Sequence, residues 1–323
     1  MQRGKIMNIQ RKKLKIFFIF LILTDLFAYL LSYNNIMSAH EVASYMMVLP
    51  GAGVSLGMYM YEKNKLNYLN YALLLCFCAY ILLILSYIFL KIIFSFFNII
   101  IINFAEGLIV PIGMIFSVGT FLYALITSEN KKDELYIFKN YKSCLKYIFI
   151  YMLIEVSIMK IFASINAFDI IKNFFYSIFV VIIVMSIFFI GEEYAWRGYL
   201  QDIFQNKFGK RIGIILLGIL WETWHFPLWN SYYNVDIYGN IFRYISVVTI
   251  AIFYGYVYMK TRNIWLCTLF HSINNFCSSE VKNIEIFNKY FLFEQTNVGY
   301  GIIILFVLGI LLFFTKEYRK DLT

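Results

Sequence analysis

Six residues in the C-terminal half of the chain have the types and spacing to do chemistry together. The run IGEEYAWRGYL, residues 190–200, places Glu192, Glu193 and Arg197 directly after the apolar run FFYSIFVVIIVMSIFFI. WETWHFPLWN carries His225, and LCTLFHSINNF carries His271 and Asn275. A carboxylate can take a proton from water, an imidazole can hold that water, and an amide can donate to a developing oxyanion. Ionisable groups at membrane depth cost at least ~2.5 kcal/mol each on the insertion scale, so they mark a functional site by default. The plainer alternatives are a helix that ends at Glu192 with its charges in the headgroup region, and histidines that merely hydrogen-bond a neighbouring helix. A carboxylate pair and two histidines in one part of the chain favour the chemical reading.

Helical spacing sharpens it. Glu193 and Arg197 are four apart with the acid first, so on an α-helix they share a face and can pair. Glu192 is turned by ~100° and is left to face elsewhere. Trp221 and His225, and likewise His271 and Asn275, are four apart. A hairpin around the basic turn QNKFGKR, residues 205–211, sets Glu192, 17 residues before Gly209, level with His225, 16 residues after it. His271 lies eight residues past Asn263, or ~12 Å along a helix. Glu192, His225, His271 and Asn275 are thus expected to converge in a polar pocket between C-terminal helices, below the cytosolic surface; polar groups at such depth are tolerated where they line a cavity. The third histidine, His40, reads as a solvated loop residue. Ser272 points ~100° away from His271, and no serine or cysteine has a nucleophile's setting. Asp25, Glu106 and Glu155 read as interhelical hydrogen-bonding groups.

The elements that must hold these residues are apolar helices. The chain is 61% hydrophobic, 20% aromatic and 15% charged over 323 residues, where a soluble domain is about 45–50% apolar and about 25% charged. The fold class is therefore all-α, a polytopic transmembrane bundle of eight to ten spans. Ten apolar helices are expected at about 14–33, 42–60, 68–90, 105–127, 147–166, 174–200, 212–230, 241–259, 263–279 and 299–315. The segment 92–104 reads as part of a span or as a surface helix.

The net charge of +9 lies in short loops and reflects topology rather than a nucleic-acid groove. With a cytosolic N-terminus the inner segments hold 21 of the 28 Lys and Arg; Arg197 aside, six are left for the outer side, Arg243 among them. Both termini are expected in the cytosol, with the site opening to that side. The first apolar run follows MQRGKIMNIQRKKLK and reads as an uncleaved span. Cys76, Cys78, Cys144, Cys267 and Cys277 form no CxxC pair, which supports neither a disulfide framework nor a thiolate zinc site. The polar insert 128–146 separates N-terminal helices of unknown role, 1–140, from a C-terminal domain, 141–323, that carries the chemistry.

Glu192-Glu193-Tyr194-Ala195-Trp196-Arg197 as EExxxR, Trp221 to His225 as aromatic-xxx-His, and His271 to Asn275 as HxxxN resemble the CPBP (Abi) family of intramembrane proteases, which includes the endopeptidase that trims prenylated CaaX proteins. The resemblance covers roughly residues 174–280. Trp221 stands where the family often has phenylalanine, and the resemblance does not extend to the first ~140 residues. The resemblance implies that Glu192 is general base on a water, that His225 helps hold that water, that His271 and Asn275 donate to the oxyanion, and that Glu193 and Arg197 are a supporting pair. A second version places a zinc ion on Glu192, His225 and His271, with water in the open position. The cofactor is then none or zinc, and the metal-free version is preferred because an amide at Asn275 suits an oxyanion better than a metal. The implied substrates are membrane-embedded peptides or lipidated proteins at the membrane lipid surface, with bacteriocin maturation or self-immunity as settings. The alternatives are a non-catalytic immunity or binding protein of the same fold and a cation- or proton-coupled transporter; against the latter, no inverted repeat is found.

Overall fold

With only three prolines in so apolar a chain, backbone groups can be satisfied within helices, as the hydrocarbon demands. The computed structural model describes residues 2–34, 36–65, 68–96, 102–126, 135–163, 167–176, 178–179, 182–234, 236–280 and 309–319. Among these no strand occurs. The helices are α1 (Gln2–Tyr33), α2 (Ala39–Glu62), α3 (Tyr68–Phe96), α4 (Ile102–Ile126), α5 (Tyr141–Ala163), α6 (Ala167–Tyr176), α7 (Ile182–Val184), α8 (Ser186–Glu193), α9 (Asp202–Phe208), α10 (Lys210–Trp224), α11 (Ile237–Thr261), α12 (Ile264–Glu280) and α13 (Lys316–Arg319).

Asn8–Tyr33, Ala39–Glu62, Asn70–Phe94 and Ile237–Thr261 are long and apolar enough to cross a membrane, and Lys210–Trp224 with Phe226–Tyr233 makes a fifth candidate if that bent pair is one span. The chain is an integral membrane protein with an all-helical fold. The count among the described residues is below the eight to ten expected, for identifiable reasons. The expected span 174–200 is not one helix but α7, α8 and a π-helical turn at Tyr194–Gln201. The expected helix 212–230 stops at Trp224 and bends by 42°. Most of the expected span 299–315, and the side chains of Glu106, Glu155 and Cys277, lie outside the described residues.

The chain divides into two compact units. One comprises Met1–Glu129 with Val184–Ala195, the other Asn130–Ile183 with Trp196–Thr323.

In the first unit α2 begins with a capping box: Ser38 Oγ accepts from Glu41 N and Glu41 Oε2 accepts from Ser38 N at 2.6 Å. His40 is exposed in that first turn. Helix α8 crosses α2 where two glycines meet: a β-carbon on Gly51 would lie 2.8 Å from Gly191 O, and one on Gly191 would strike Met47 O. Only glycine allows backbones so close. Helix α4 secures the start of α8, whose N-cap residue Met185 makes no side-chain capping bond. There Ile187 N donates to Ser117 Oγ at 3.1 Å, and Ser186 Oγ donates to Ser117 O at 3.2 Å. A backbone donor that the helix leaves orphaned is thus satisfied from another helix.

In the second unit α9 and α10 form the expected hairpin about Gly209, whose φ of 79° suits a residue without a β-carbon. Gly218 brings α10 against α11, where a β-carbon would come within 2.7 Å of Val248 Cα. Helix α11 is capped by Asp236, which accepts from Gly239 N at 2.7 Å. After Arg262 in the left-handed region, Asn263 caps α12: its Oδ1 accepts from Leu266 N, and its Nδ2 donates to Ile137 O and Lys139 O at 2.8 Å. The two connections fix where α10 and α12 present their side chains.

Candidate functional site

Within the first unit, α8 ends in the carboxylate pair. Glu192 is 2% exposed and Glu193 fully buried. The Gly51–Gly191 crossing sits immediately before them, so the position of the pair along α2 is set by backbone contact. The next residue, Tyr194, donates its hydroxyl to Asn70 Oδ1 at 3.0 Å.

From Tyr194 the backbone leaves the α-helical repeat and winds as a π-helix to Gln201, a distortion frequent at functional sites. The stretch from Tyr194 through Arg197 is thus π-helical rather than the uninterrupted α-helix assumed from the spacing of Glu193 and Arg197. In the second unit, Arg197 is fully buried, with its guanidinium carbon 4.6 Å from the Trp221 ring centroid and 5.4 Å from that of Tyr254. Four residues on, Gln201 donates to Gly255 O at 3.0 Å and ties the segment to α11.

Trp221 is the hub of this unit's polar interior. Its ring meets the His271 ring edge-on at 5.3 Å and lies 6.3 Å from both His225 and Tyr254. His271 is 5% exposed and Tyr254 fully buried. Arg197, Trp221, His225, Tyr254 and His271, drawn from four segments of chain, are therefore neighbours. Asn275 follows His271 by one turn and is exposed. Ser272 is buried and donates its hydroxyl to Leu269 O at 2.8 Å, so it is committed to its own helix.

His225 stands at the break between α10 and the next helical segment, with φ −74° and ψ 0°. Its amide donates to Glu222 O at 3.0 Å and its carbonyl accepts from Leu228 N at 2.8 Å, so the bend is tightly bonded. Pro227, which has no N–H to offer, suits the first turn after it. His225 thus stands at the 42° bend that ends α10 rather than within that helix.

One carboxylate went unremarked in the sequence. Glu222 is fully buried and is held by Arg243, whose Nε donates to Oε1 at 2.7 Å and whose Nη2 donates to Oε2 at 3.0 Å. Trp229 Nε1 donates to Oε1 at 3.1 Å, and His225 Nδ1 lies 3.3 Å from Oε2. Arg243, read as one of the outer basic residues, is mostly buried and its guanidinium carbon is 3.3 Å from the Tyr233 ring centroid. The signal was available: Glu222 lies in an apolar run three residues before His225, which is the criterion that singled out Glu192.

Among the described residues, no three His, Cys, Asp or Glu side chains are grouped as ligands of a metal ion. The mechanism below is written with the chain's own groups, and the zinc version on Glu192, His225 and His271 is put to a chelation test.

Fold and interior together define a polytopic helical membrane protein with ionisable groups buried at the ends and breaks of its helices. The sequence profile described as type II CAAX prenyl endopeptidase, Rce1-like, matches residues 173–277. The chain is also 35% identical over 92 residues to CAAX prenyl protease 2 of Methanococcus maripaludis, a match covering 26% of this chain and 34% of that protein. The profile match, residues 173–277, contains all three motifs and so coincides with the stretch that carries the resemblance. The chain spans about a third of the length of the curated relative it matches. No solved structure matches the chain.

Proposed function

We propose that this protein is an intramembrane endopeptidase that cleaves a peptide bond in lipid-anchored, prenylated peptides near the cytosolic face. The observation that carries the reading is the gathering of two histidines, His225 and His271, about Trp221 beside a buried arginine, inside the segment that matches the prenyl-endopeptidase profile.

In the proposed reaction Glu192 removes a proton from water as the oxygen attacks the scissile carbonyl. His225 accepts a hydrogen bond from that water and orients it. His271 and Asn275 donate to the carbonyl oxygen as it gains charge, each good donor contributing about 3–4 kcal/mol in hydrolases where one has been removed. Collapse breaks the C–N bond, and the proton held by Glu192 passes to the leaving amine, so one water is consumed and an acid and an amine are released. Arg197 stabilises the negative end of the site electrostatically and, by its place over Trp221, keeps both histidines in register. A prenyl chain on the substrate would remain in lipid, which suits an active site built from helices whose outer faces are apolar.

The test is mass spectrometry of peptides incubated with the detergent-purified chain. A peptide bearing a prenylated cysteine near its C-terminus should lose the residues beyond that cysteine, and the same peptide without the lipid should be cleaved far more slowly. Equal cleavage of both would refute the lipid requirement, and absence of cleavage of either would refute the endopeptidase.

A further inference from the structure

Around the α10 break one carboxylate holds two side chains by hydrogen bonds and has a buried imidazole nitrogen at its edge. Glu222 Oε1 receives two donors, Arg243 Nε at 2.7 Å and Trp229 Nε1 at 3.1 Å. Oε2 receives one, Arg243 Nη2 at 3.0 Å, and lies 3.3 Å from His225 Nδ1. That nitrogen is buried, and the carboxylate opposite it is fully buried as well. A buried carboxylate survives only where donors satisfy it, and a bidentate arginine fixes its plane as well as its charge. The rings of Trp224 at 4.8 Å and Tyr233 at 6.0 Å enclose the imidazole. Arg243 in turn lies over Tyr233, so the clamp and the wall share a residue.

We infer that Glu222 is a positioning residue for His225: held by Arg243 and Trp229, it accepts the Nδ1 proton, fixes the imidazole as the Nδ1–H tautomer and leaves Nε2 as the acceptor that meets the water. An imidazole's second nitrogen is set by what the first one bonds, and the partners that orient metal-ligating histidines in this way change affinity or activity by about 10–100-fold when removed, the scale taken here. The kinetic part of this inference rests on the peptidase reading above; the tautomer does not.

The substitution Glu222→Gln has a directional consequence. The amide oxygen keeps the position with two donors, that of Oε1, and the NH2 group takes the place of Oε2. There it donates to His225 Nδ1, which must then be the unprotonated nitrogen, and the proton moves to Nε2.

The experiment uses the full chain in lipid nanodiscs, labelled with 15N-histidine, at about pH 8.5, above the ordinary histidine range near 6.5. With three histidines in the chain, His225 is assigned by difference from His40→Gln and His225→Gln. The two-bond proton–nitrogen pattern should report Nδ1–H for His225 in the wild type and Nε2–H in Glu222→Gln. In parallel Glu222→Gln should lower kcat on the prenylated peptide by about 10–100-fold with KM unchanged within about twofold. A wild-type His225 protonated on Nε2 overturns the inference, and this holds even if the variant does not fold. The same tautomer in both proteins, or full kcat in a variant with the inverted tautomer, overturns it too. Wild-type protein that shows the Nδ1–H pattern but cleaves no peptide supports the inference and refutes the peptidase reading alone.

Discussion

The guanidinium carbon of Arg197 lies 4.6 Å from the centre of the Trp221 ring, whose edge-on neighbour at 5.3 Å is His271. One indole thus carries a buried cation and a histidine of the matched segment. Desolvated cation–π contacts contribute about 2 kcal/mol, and tryptophan is the strongest partner because its ring face is the most negative. Trp221→Ala should cost about 3–5 kcal/mol and abolish activity through loss of both contacts. Trp221→Phe, which keeps an aromatic face for Arg197, should retain the fold, losing less stability than Trp221→Ala and only part of kcat. Thermal unfolding in detergent and peptide cleavage, measured on both variants, check this; full activity in Trp221→Ala would refute the hub role.

Gly191→Ala tests the approach of α8 to α2. Its β-carbon would meet Met47 O, a backbone atom that cannot rotate away, so the variant should lose about 1–3 kcal/mol by overpacking and lose activity, because Glu192 follows directly. Gly119→Ala is the control, since a β-carbon there meets nothing within 4 Å. Equal melting temperatures for the two variants would contradict the crossing.

Asn263→Ala removes a residue that accepts from Leu266 N and donates to two carbonyls. Loss of such a cap costs about 0.5–2 kcal/mol. His271 lies two turns along the same helix, so the expectation is a lowered kcat and faster hydrogen exchange at the start of α12. Protection unchanged at those amides would show that the cap is dispensable.

The helical membrane class was legible because composition and run length both follow from the hydrocarbon's thickness. So was the α9–α10 hairpin, where Gly209 supplies the positive φ that the turn requires. The π-helical turn after Glu193 was not, because residue types and spacing do not separate i to i+5 from i to i+4 bonding. The bend at His225 was hidden inside an apolar run, although Pro227 hinted at it. Arg243 entered the sequence reading only as a charge on the outer side, and only tertiary structure supplies Glu222 as its partner.

Metal dependence provides an independent check on the mechanism. With the reaction carried by Glu192, His225, His271 and Asn275 alone, purified protein should keep its activity in phenanthroline and contain zinc far below one equivalent by elemental analysis. Activity lost to the chelator and restored by zinc would instead assign Glu192, His225 and His271 as ligands.

The most direct measurement is the rate of prenylated-peptide cleavage by Glu192→Gln beside the wild type, with membrane insertion and melting temperature matched. Loss of a general base costs about 10²–10⁴-fold, so the variant should fall to the limit of detection while KM for the lipidated peptide stays near that of the wild type. Cleavage by Glu192→Gln at the wild-type rate would contradict the assignment of Glu192 as the group that activates water.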